Sequence, residues 1–198
     1  MEIVSDGSGC DYSTRCYGDI FVCKFNSTGS SLLYSTYIGG EGGDACWGLD
    51  IKNNNAYITG RTYSTTYPVT SGAYSTTGRT DGQSYLTILN STGTNLIYSS
   101  YLPGDGGSII VSGNYAYICS GSRRSTDATT SGAYQTILRG GGDGYLRIIN
   151  PAGNGNTDLV YATLLGGNSD EYLYKLKVIG NYVYLLGTTF RIGNPSFP

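Results

Sequence analysis

The chain contains no histidine. The residues that could take part in chemistry are therefore two asparagines in Asn-Ser-Thr triplets, five cysteines and the carboxylates of aspartate and glutamate. Asn26 and Asn90 each begin an Asn-Ser-Thr triplet, which is the acceptor pattern for N-linked glycans. Cys10 and Cys16 lie in a segment rich in glycine and serine, where a short disulfide loop is sterically easy in an oxidising compartment. These four residues are the candidate modification sites.

The residue types argue against a metal centre and against the common hydrolytic machinery. Without histidine, Ser-His-Asp and Cys-His catalysis are excluded, and no paired C-x-x-C spacing points to zinc. Acidic residues beside glycines could supply oxygen ligands to calcium, although none fits the twelve-residue calcium loop. We expect no cofactor, with calcium as the alternative. Those acidic residues are Glu41, Asp44, Asp105 and Asp143.

A hydrolase would need two carboxylates held roughly 5 to 10 Å apart by residues distant in the sequence. The acidic loops recur from one part of the chain to the next, so no unique pair stands out. Hydrolysis by carboxylates is therefore the least favoured of the functions considered.

The composition limits both the class of protein and the kinds of partner that it could bind. Only 13% of the residues are charged, whereas a soluble domain typically has about 25%. The net charge of -2 lacks the positive field that nucleic acid or an anionic membrane would require. No apolar run is long enough for a membrane span. We expect neither nucleic acid binding nor membrane insertion.

The chain consists of tandem repeats. An Asn-x-x-Gly element followed by a Leu/Ile/Val-Tyr strand begins at Asn26, Asn90 and Asn150, at spacings of 64 and 60 residues. A second marker recurs as Ala56 to Gly60, Ala116 to Gly121 and Val183 to Gly187. Repetition at this period indicates one supersecondary unit that buries its apolar faces against its neighbours.

Each repeat reads as four short strands. Apolar runs rich in tyrosine, isoleucine and leucine are bounded by glycine or asparagine, which is typical of strands and hairpin turns. The repeated asparagines open such turns, and this turn role is a stronger interpretation than glycan attachment. Four strands per repeat favour a propeller blade. In the central copy the predicted strands are Ser108 to Ser112, Tyr115 to Ser120, Tyr145 to Asn150 and Leu159 to Leu165.

These repeats resemble the SBBP β-propeller repeat family over nearly the whole chain from about Gly18. The elements that carry the resemblance are Gly18 to Val22, Leu32 to Gly40, Ala56 to Gly60, Tyr67-Pro68 and Gly72 to Tyr74. The resemblance implies a secreted or cell-surface propeller of prokaryotic type. The family offers no catalytic motif to transfer to this sequence.

The predicted fold is therefore all-β: a β-propeller of four-stranded antiparallel blades, with about three blades' worth of strands and a half-blade at each end. Propellers usually need four to eight blades to close. An incomplete chain is the preferred explanation, and strand exchange between subunits through the terminal half-blades is the other. The predicted units are an N-terminal segment 1–17, a half-blade 18–40, blades 43–104 and 107–167, and a half-blade 170–198.

Aromatic residues divide into those that recur and those that do not. Tyr34, Tyr98 and Tyr161 recur at one repeat position, which indicates packing between blades. Trp47 is predicted to belong to the core. Tyrosines outside the repeat marks are better ligand candidates, because an amphipathic ring can stack on a sugar while its hydroxyl stays wet. Those tyrosines are Tyr12, Tyr17 and Tyr63.

The leading functional prediction is a non-enzymatic extracellular or cell-surface module with a structural or adhesive role. A hydroxyl-rich composition with few charges, tandem repeats and half-blades at both ends together favour a subunit of a surface fibre or layer. The alternative is a lectin-like propeller that binds glycans at its loops.

Overall fold

A computed structural model describes residues 18–190, and strands connected by tight turns make up this part of the chain. The strands are β1 (Ile20–Phe25), β2 (Leu32–Ile38), β3 (Asp44–Lys52), β4 (Asn55–Thr62), β5 (Gln83–Leu89), β6 (Leu96–Leu102), β7 (Ser108–Ser112), β8 (Tyr115–Ser122), β9 (Asp143–Ile149), β10 (Leu159–Leu165), β11 (Glu171–Ile179) and β12 (Tyr182–Thr189). One short 3-10 helix, Gly155–Asp158, precedes β10. The described residues form no α-helix, so the all-β prediction is confirmed.

The strands form four antiparallel sheets in chain order. The first sheet contains β1 and β2, the second β3 to β6, the third β7 to β10 and the fourth β11 and β12. Within each sheet every strand pairs with its neighbour in sequence, and among the described residues no sheet closes on itself. The two middle sheets are therefore four-stranded, and the two end sheets are two-stranded.

Two-residue turns set the register at three equivalent hairpins. Lys52 pairs with Asn55 around a turn in which both Asn53 and Asn54 have left-handed φ, 51° and 63°. The corresponding turns of the third and fourth sheets begin at Gly113 and Gly180, with φ of 53° and 56°. Asparagine and glycine are the residues that adopt this conformation most readily, so these turns form from local sequence.

The hydrophobic core lies between consecutive sheets. Residues of the first and second sheets, such as Val22 and Ile58, share one cluster, and residues of the second and third, such as Leu86 and Ile118, share another. A third cluster joins Cys119 of the third sheet to Leu173 and Leu176 of the fourth. Each sheet is thus stabilised by burial against the next one, as expected of a repeat that cannot bury its faces alone.

The predicted strands of the central copy lie within two residues of the observed ones. The largest differences are two residues: β8 was predicted to end at Ser120 and ends at Ser122, and β9 was predicted to begin at Tyr145 and begins at Asp143. Asp143 and Gly144 pair with Ser122 and Gly121 of β8. The sequence did not predict this pairing, because aspartate and glycine are both depleted in strands.

Candidate functional site

The end sheets each present a strand edge that has no strand partner among residues 18–190. β1 pairs only with β2, and β12 pairs only with β11. Their counterparts in the complete sheets pair on both sides: β5 lies between β4 and β6, and β8 lies between β7 and β9. An open edge exposes a row of backbone donors and acceptors that can pair with another strand.

Strand β12 exposes side chains at positions that are buried in the complete sheets. Leu186 pairs with Lys175 across the β11–β12 hairpin. The residue equivalent to Leu186 is Thr59 in β4 and Cys119 in β8. Thr59 and Cys119 are 0% exposed, whereas Leu186 is 65% exposed. Burying a leucine of this size against apolar neighbours contributes about 1.5 to 3 kcal/mol.

Strand β1 shows the same contrast at the other end. Phe21 pairs with Tyr37, in the register position where Tyr85 pairs with Tyr101 in the second sheet. Tyr85 is 0% exposed and Phe21 is 68% exposed. The two end sheets together thus form a candidate association site made of two open edges and their exposed apolar side chains.

A second candidate site is an aromatic cleft beside the first strands of the second, third and fourth sheets. The cleft has a volume of about 310 Å³ and is lined by Trp47, Tyr172, Tyr174 and the Gly106-Gly107 backbone, with Ser108 and Leu173. The Tyr172 and Tyr174 rings lie 5.3 Å apart, and the Tyr172 hydroxyl donates to the Gly106 carbonyl. Aromatic walls of this kind suit an amphipathic ligand.

The prediction that Trp47 belongs to the core is wrong, because its side chain is 46% exposed in this cleft. Trp47 lies in β3, between Cys46 and Gly48 where the pairing with β4 is irregular. Tyr63, a predicted ligand candidate, instead stacks beneath the Arg61 guanidinium at 5.0 Å from the ring centre. Tyr12 and Tyr17 lie outside the described residues.

The acidic residues considered for calcium contact protein groups. Glu41 accepts from the Thr65 and Thr66 amides at 2.7 and 2.9 Å, and Asp105 pairs with Arg61 at 2.9 Å. Asp143 accepts from the Arg139 amide. Among residues 18–190, no group of three or more acidic or cysteine side chains is placed to hold a metal ion.

Two buried carboxyls lie where an end sheet meets a complete one. Burial, together with nearby Asp19, raises the pKa of Asp44, and burial together with Glu171 raises the pKa of Asp143. One carboxyl oxygen of each, Oδ1, has no hydrogen-bond partner. Asp44 and Asp143 are 3% and 0% exposed, so neither carboxyl faces an open cleft.

Asn26 and Asn90 each begin a turn, as the sequence predicts, and stabilise it with side-chain hydrogen bonds. The Asn26 Oδ1 atom accepts from the Ser30 and Ser31 amides, and Asn90 Oδ1 accepts from Thr94 and Asn95. Their Nδ2 atoms, where a glycan would attach, donate to the Ser30 and Thr94 hydroxyls at 3.0 and 3.1 Å. Both asparagines are half-buried, and glycosylation there stays a prediction.

The cysteines that the structure describes are free thiols. Cys23 and Cys46 are exposed and Cys119 is buried. Cys23 lies in β1 and Cys119 lies in β8. Cys10 and Cys16, the predicted disulfide, lie outside the described residues.

Sequence reasoning missed a buried arginine at the junction of the two complete sheets. Arg147 is 0% exposed, and its guanidinium donates to the carbonyls of Pro103 and Asp105 and to the Ser120 hydroxyl. Burial lowers the pKa of Arg147. One feature of the sequence could have indicated this buried arginine: Arg147 interrupts the apolar run from Tyr145 to Ile149.

Comparison with known proteins identifies no relative: no family model matches the chain, and no curated protein is significantly similar to it. Among the described residues no helix has the length and apolar character of a membrane span.

Proposed function

We propose that this chain is a non-enzymatic structural module of the propeller type, whose two end sheets complete each other between copies. One observation carries the proposal: most side-chain positions that are buried in β4 and β5 are partly or fully exposed in β12 and β1, although Ile20 and Val22 stay buried. The two edges are also complementary in kind. β12 corresponds to the second strand of a complete sheet and β1 to the third, and these two strands pair in both complete sheets.

The physical driving force has two parts. Pairing β12 with β1 would supply partners to backbone groups at both edges, and it would remove Phe21, Phe25 and Leu186 from water. An edge left open is an aggregation hazard, so a defined partner also protects the chain from non-specific association. Association through two different surfaces builds either closed rings or filaments.

The test is the mass of the purified chain in solution, measured by size-exclusion light scattering. We expect a species heavier than the 21.0 kDa single chain, and we expect Leu186→Lys to shift it toward the single-chain mass. Ile137→Lys is the matched control, because Ile137 is also exposed but lies in the loop between β8 and β9 and not in an end sheet. A wild-type chain that stays monomeric at every concentration would overturn the proposal.

An extracellular location is part of the same proposal. It is supported by the low charge, the abundance of hydroxyl residues and the resemblance to the SBBP repeat. Expression through the secretory pathway of a eukaryotic host tests the predictions of glycosylation and of a disulfide. Intact mass should show glycans lost in Asn26→Gln and Asn90→Gln, and a mass change on reduction and alkylation should report a Cys10–Cys16 disulfide.

Glycan binding is the second candidate, and the aromatic cleft is the observation that favours it. The protein contains one tryptophan, Trp47, so its fluorescence reports on the cleft directly. Titration with neutral oligosaccharides should shift the Trp47 emission, and Tyr174→Ala should weaken the response. Tyr134→Ala, at an exposed tyrosine outside the cleft, should leave it unchanged. An emission that does not respond to any oligosaccharide would exclude this candidate.

A further inference from the structure

The complete sheets define the register that a β12–β1 pair would adopt. In the second sheet Ile58 lies opposite Thr87, Thr59 opposite Leu86 and Gly60 opposite Tyr85. The third sheet uses the same register, with Ile118 opposite Arg147 and Ser120 opposite Tyr145. Side chains directly opposite one another on an antiparallel pair are in contact, so the register decides which residues meet.

Applied to the end strands, this register brings matching residues together. Leu185 lies opposite Cys23, Leu186 opposite Val22 and Gly187 opposite Phe21. The last pair repeats a feature of the complete sheets, where an aromatic ring faces glycine or serine. A Cβ on Gly60 would lie 1.9 Å from the Ala45 carbonyl oxygen and 2.8 Å from the Tyr85 hydroxyl, so the ring is one of two groups that leave no room for a side chain there.

The number of strands decides how many copies are needed. Residues 18–190 supply two complete sheets and two halves, which is three four-stranded sheets. Propellers close with about four to eight such sheets, so the strands of residues 18–190 are too few for a ring and the same strands from two copies are enough. In the described structure β12 makes no backbone hydrogen bond to β1, although both belong to one chain.

We infer that two copies of this chain close into a ring of six four-stranded sheets, in which β12 of each copy pairs with β1 of the other in the register Leu185–Cys23. The inference rests on the proposed association through the end sheets. It adds the partner, a second copy, and the stoichiometry. The two contacts are identical and related by a twofold axis, so no edge of the β12 or β1 type is left to extend a filament.

The register is tested by cross-linking, because Cys23 is a free and exposed thiol. Residues directly opposite on antiparallel strands have Cα atoms about 4.5 to 5.5 Å apart, within the range of a disulfide. Leu185→Cys should therefore oxidise to a covalent dimer, and adding Cys23→Ser should abolish it. Complete oxidation should stop at the dimer, because the ring contains two such contacts and no open end.

A second cysteine pair is the control for an effect of Leu185→Cys on folding, because Leu185 packs against the core cluster that contains Cys119. Lys24 and Tyr184 lie opposite each other in the same register, Tyr184 is exposed, and neither residue belongs to the core clusters at the end sheets. Lys24→Cys with Tyr184→Cys, in the Cys23→Ser background, should also give a covalent dimer. Failure of both pairs to cross-link in an assembled protein would overturn the register.

Light scattering on the wild-type chain separates failure of this inference from failure of the proposed function. Twice the 21.0 kDa chain mass supports the two-chain ring. Larger species, or a ladder of covalent multimers from Leu185→Cys, would overturn the ring while leaving association through the end sheets intact. A single-chain mass at all concentrations would overturn both.

Discussion

The complete and the incomplete sheets of this molecule present the same strand positions in opposite environments. Tyr85 and Tyr145 lie inside the complete sheets with no exposed surface, while Phe21 at the same position faces solvent. The sequence keeps an aromatic residue in all three places. This difference indicates that β1 and β12 are built as interior strands, although among residues 18–190 they lie at sheet edges.

The junctions between sheets differ as well. Where the two complete sheets meet, Arg61 pairs with Asp105 and Arg147 donates to the Pro103 and Asp105 carbonyls. Where end sheets meet complete ones, the buried groups are the carboxyls Asp44 and Asp143, whose pKa values burial raises. The central junction is held by charge-assisted hydrogen bonds, and the outer junctions contain carboxyls that are harder to ionise.

The largest effect is expected at the central junction. Arg147→Ala removes the donor to two carbonyls and leaves a buried cavity, so we expect a loss of about 2 to 5 kcal/mol in the free energy of unfolding. Urea denaturation measures it. Arg79→Ala, which breaks the exposed pair with Asp81, should cost less than about 1 kcal/mol. Equal losses in the two variants would mean that the buried network does not stabilise this junction.

The aromatic position shared by the sheets provides the sharpest contrast. Tyr85→Ala should destabilise the chain by about 3 kcal/mol or more, because it empties a packed core site. Phe21→Ala should cost under about 1 kcal/mol in dilute monomer, where the ring is already exposed. At concentrations where the chain assembles, the cost of Phe21→Ala should rise. A cost independent of concentration would contradict burial of Phe21 between copies.

The repeated turns allow a smaller comparison. Asn90 Oδ1 accepts two backbone amides, so Asn90→Ala should cost about 1 kcal/mol. In the third turn the Asp158 carboxylate accepts the Gly153 and Asn154 amides instead. Asn150→Ala should therefore be nearly neutral in thermal unfolding, and Asp158→Ala should show the loss. A comparable loss in Asn150→Ala would argue against this division of roles.

The smallest effects concern pH, and two carboxyls should act with opposite sign. The raised pKa of Asp143 means that its contribution to stability is present below its unfolded value of 3.8 and lost as the pH rises through the folded value. For Glu41, burial raises the pKa, but hydrogen bonds from Thr65 and Thr66 outweigh burial and lower it from 4.5 to about 2. Its contribution is present above pH 4.5 and lost as the pH falls through about 2.

Melting temperatures measured across pH test both signs. Asp143→Asn should flatten the decline of stability on the alkaline side of pH 3.8, and Glu41→Gln should reduce the loss of stability on the acid side of pH 4.5. Each variant serves as the control for the other, since each should alter only one limb of the profile. An unchanged profile in either variant would show that its carboxyl is not the group responsible.

Much of the fold was predictable because its signals are local. The hairpins at Gly113 and Gly180, the asparagine turns at Asn26 and Asn90, and the strand bounds all depend on residues within a few positions of one another. A turn that requires left-handed φ selects glycine or asparagine wherever it occurs. Repetition of those signals supported the division into equivalent sheets.

The candidate sites were less predictable, because exposure is not a local property. Trp47 was assigned to the core from its surroundings in sequence, yet it faces a cleft where no strand covers it. Arg147 was overlooked, since the carbonyls that accept its hydrogen bonds belong to a segment more than forty residues earlier in the chain.

The sequence by itself determined the strands and their tight turns, since both depend on residues within a few positions of one another. The tertiary structure alone decided which faces are covered, because burial depends on which sheet packs against which. Phe21 and Leu186 carry the residue types of interior strands, and only the packing of the sheets showed that one chain leaves them in water.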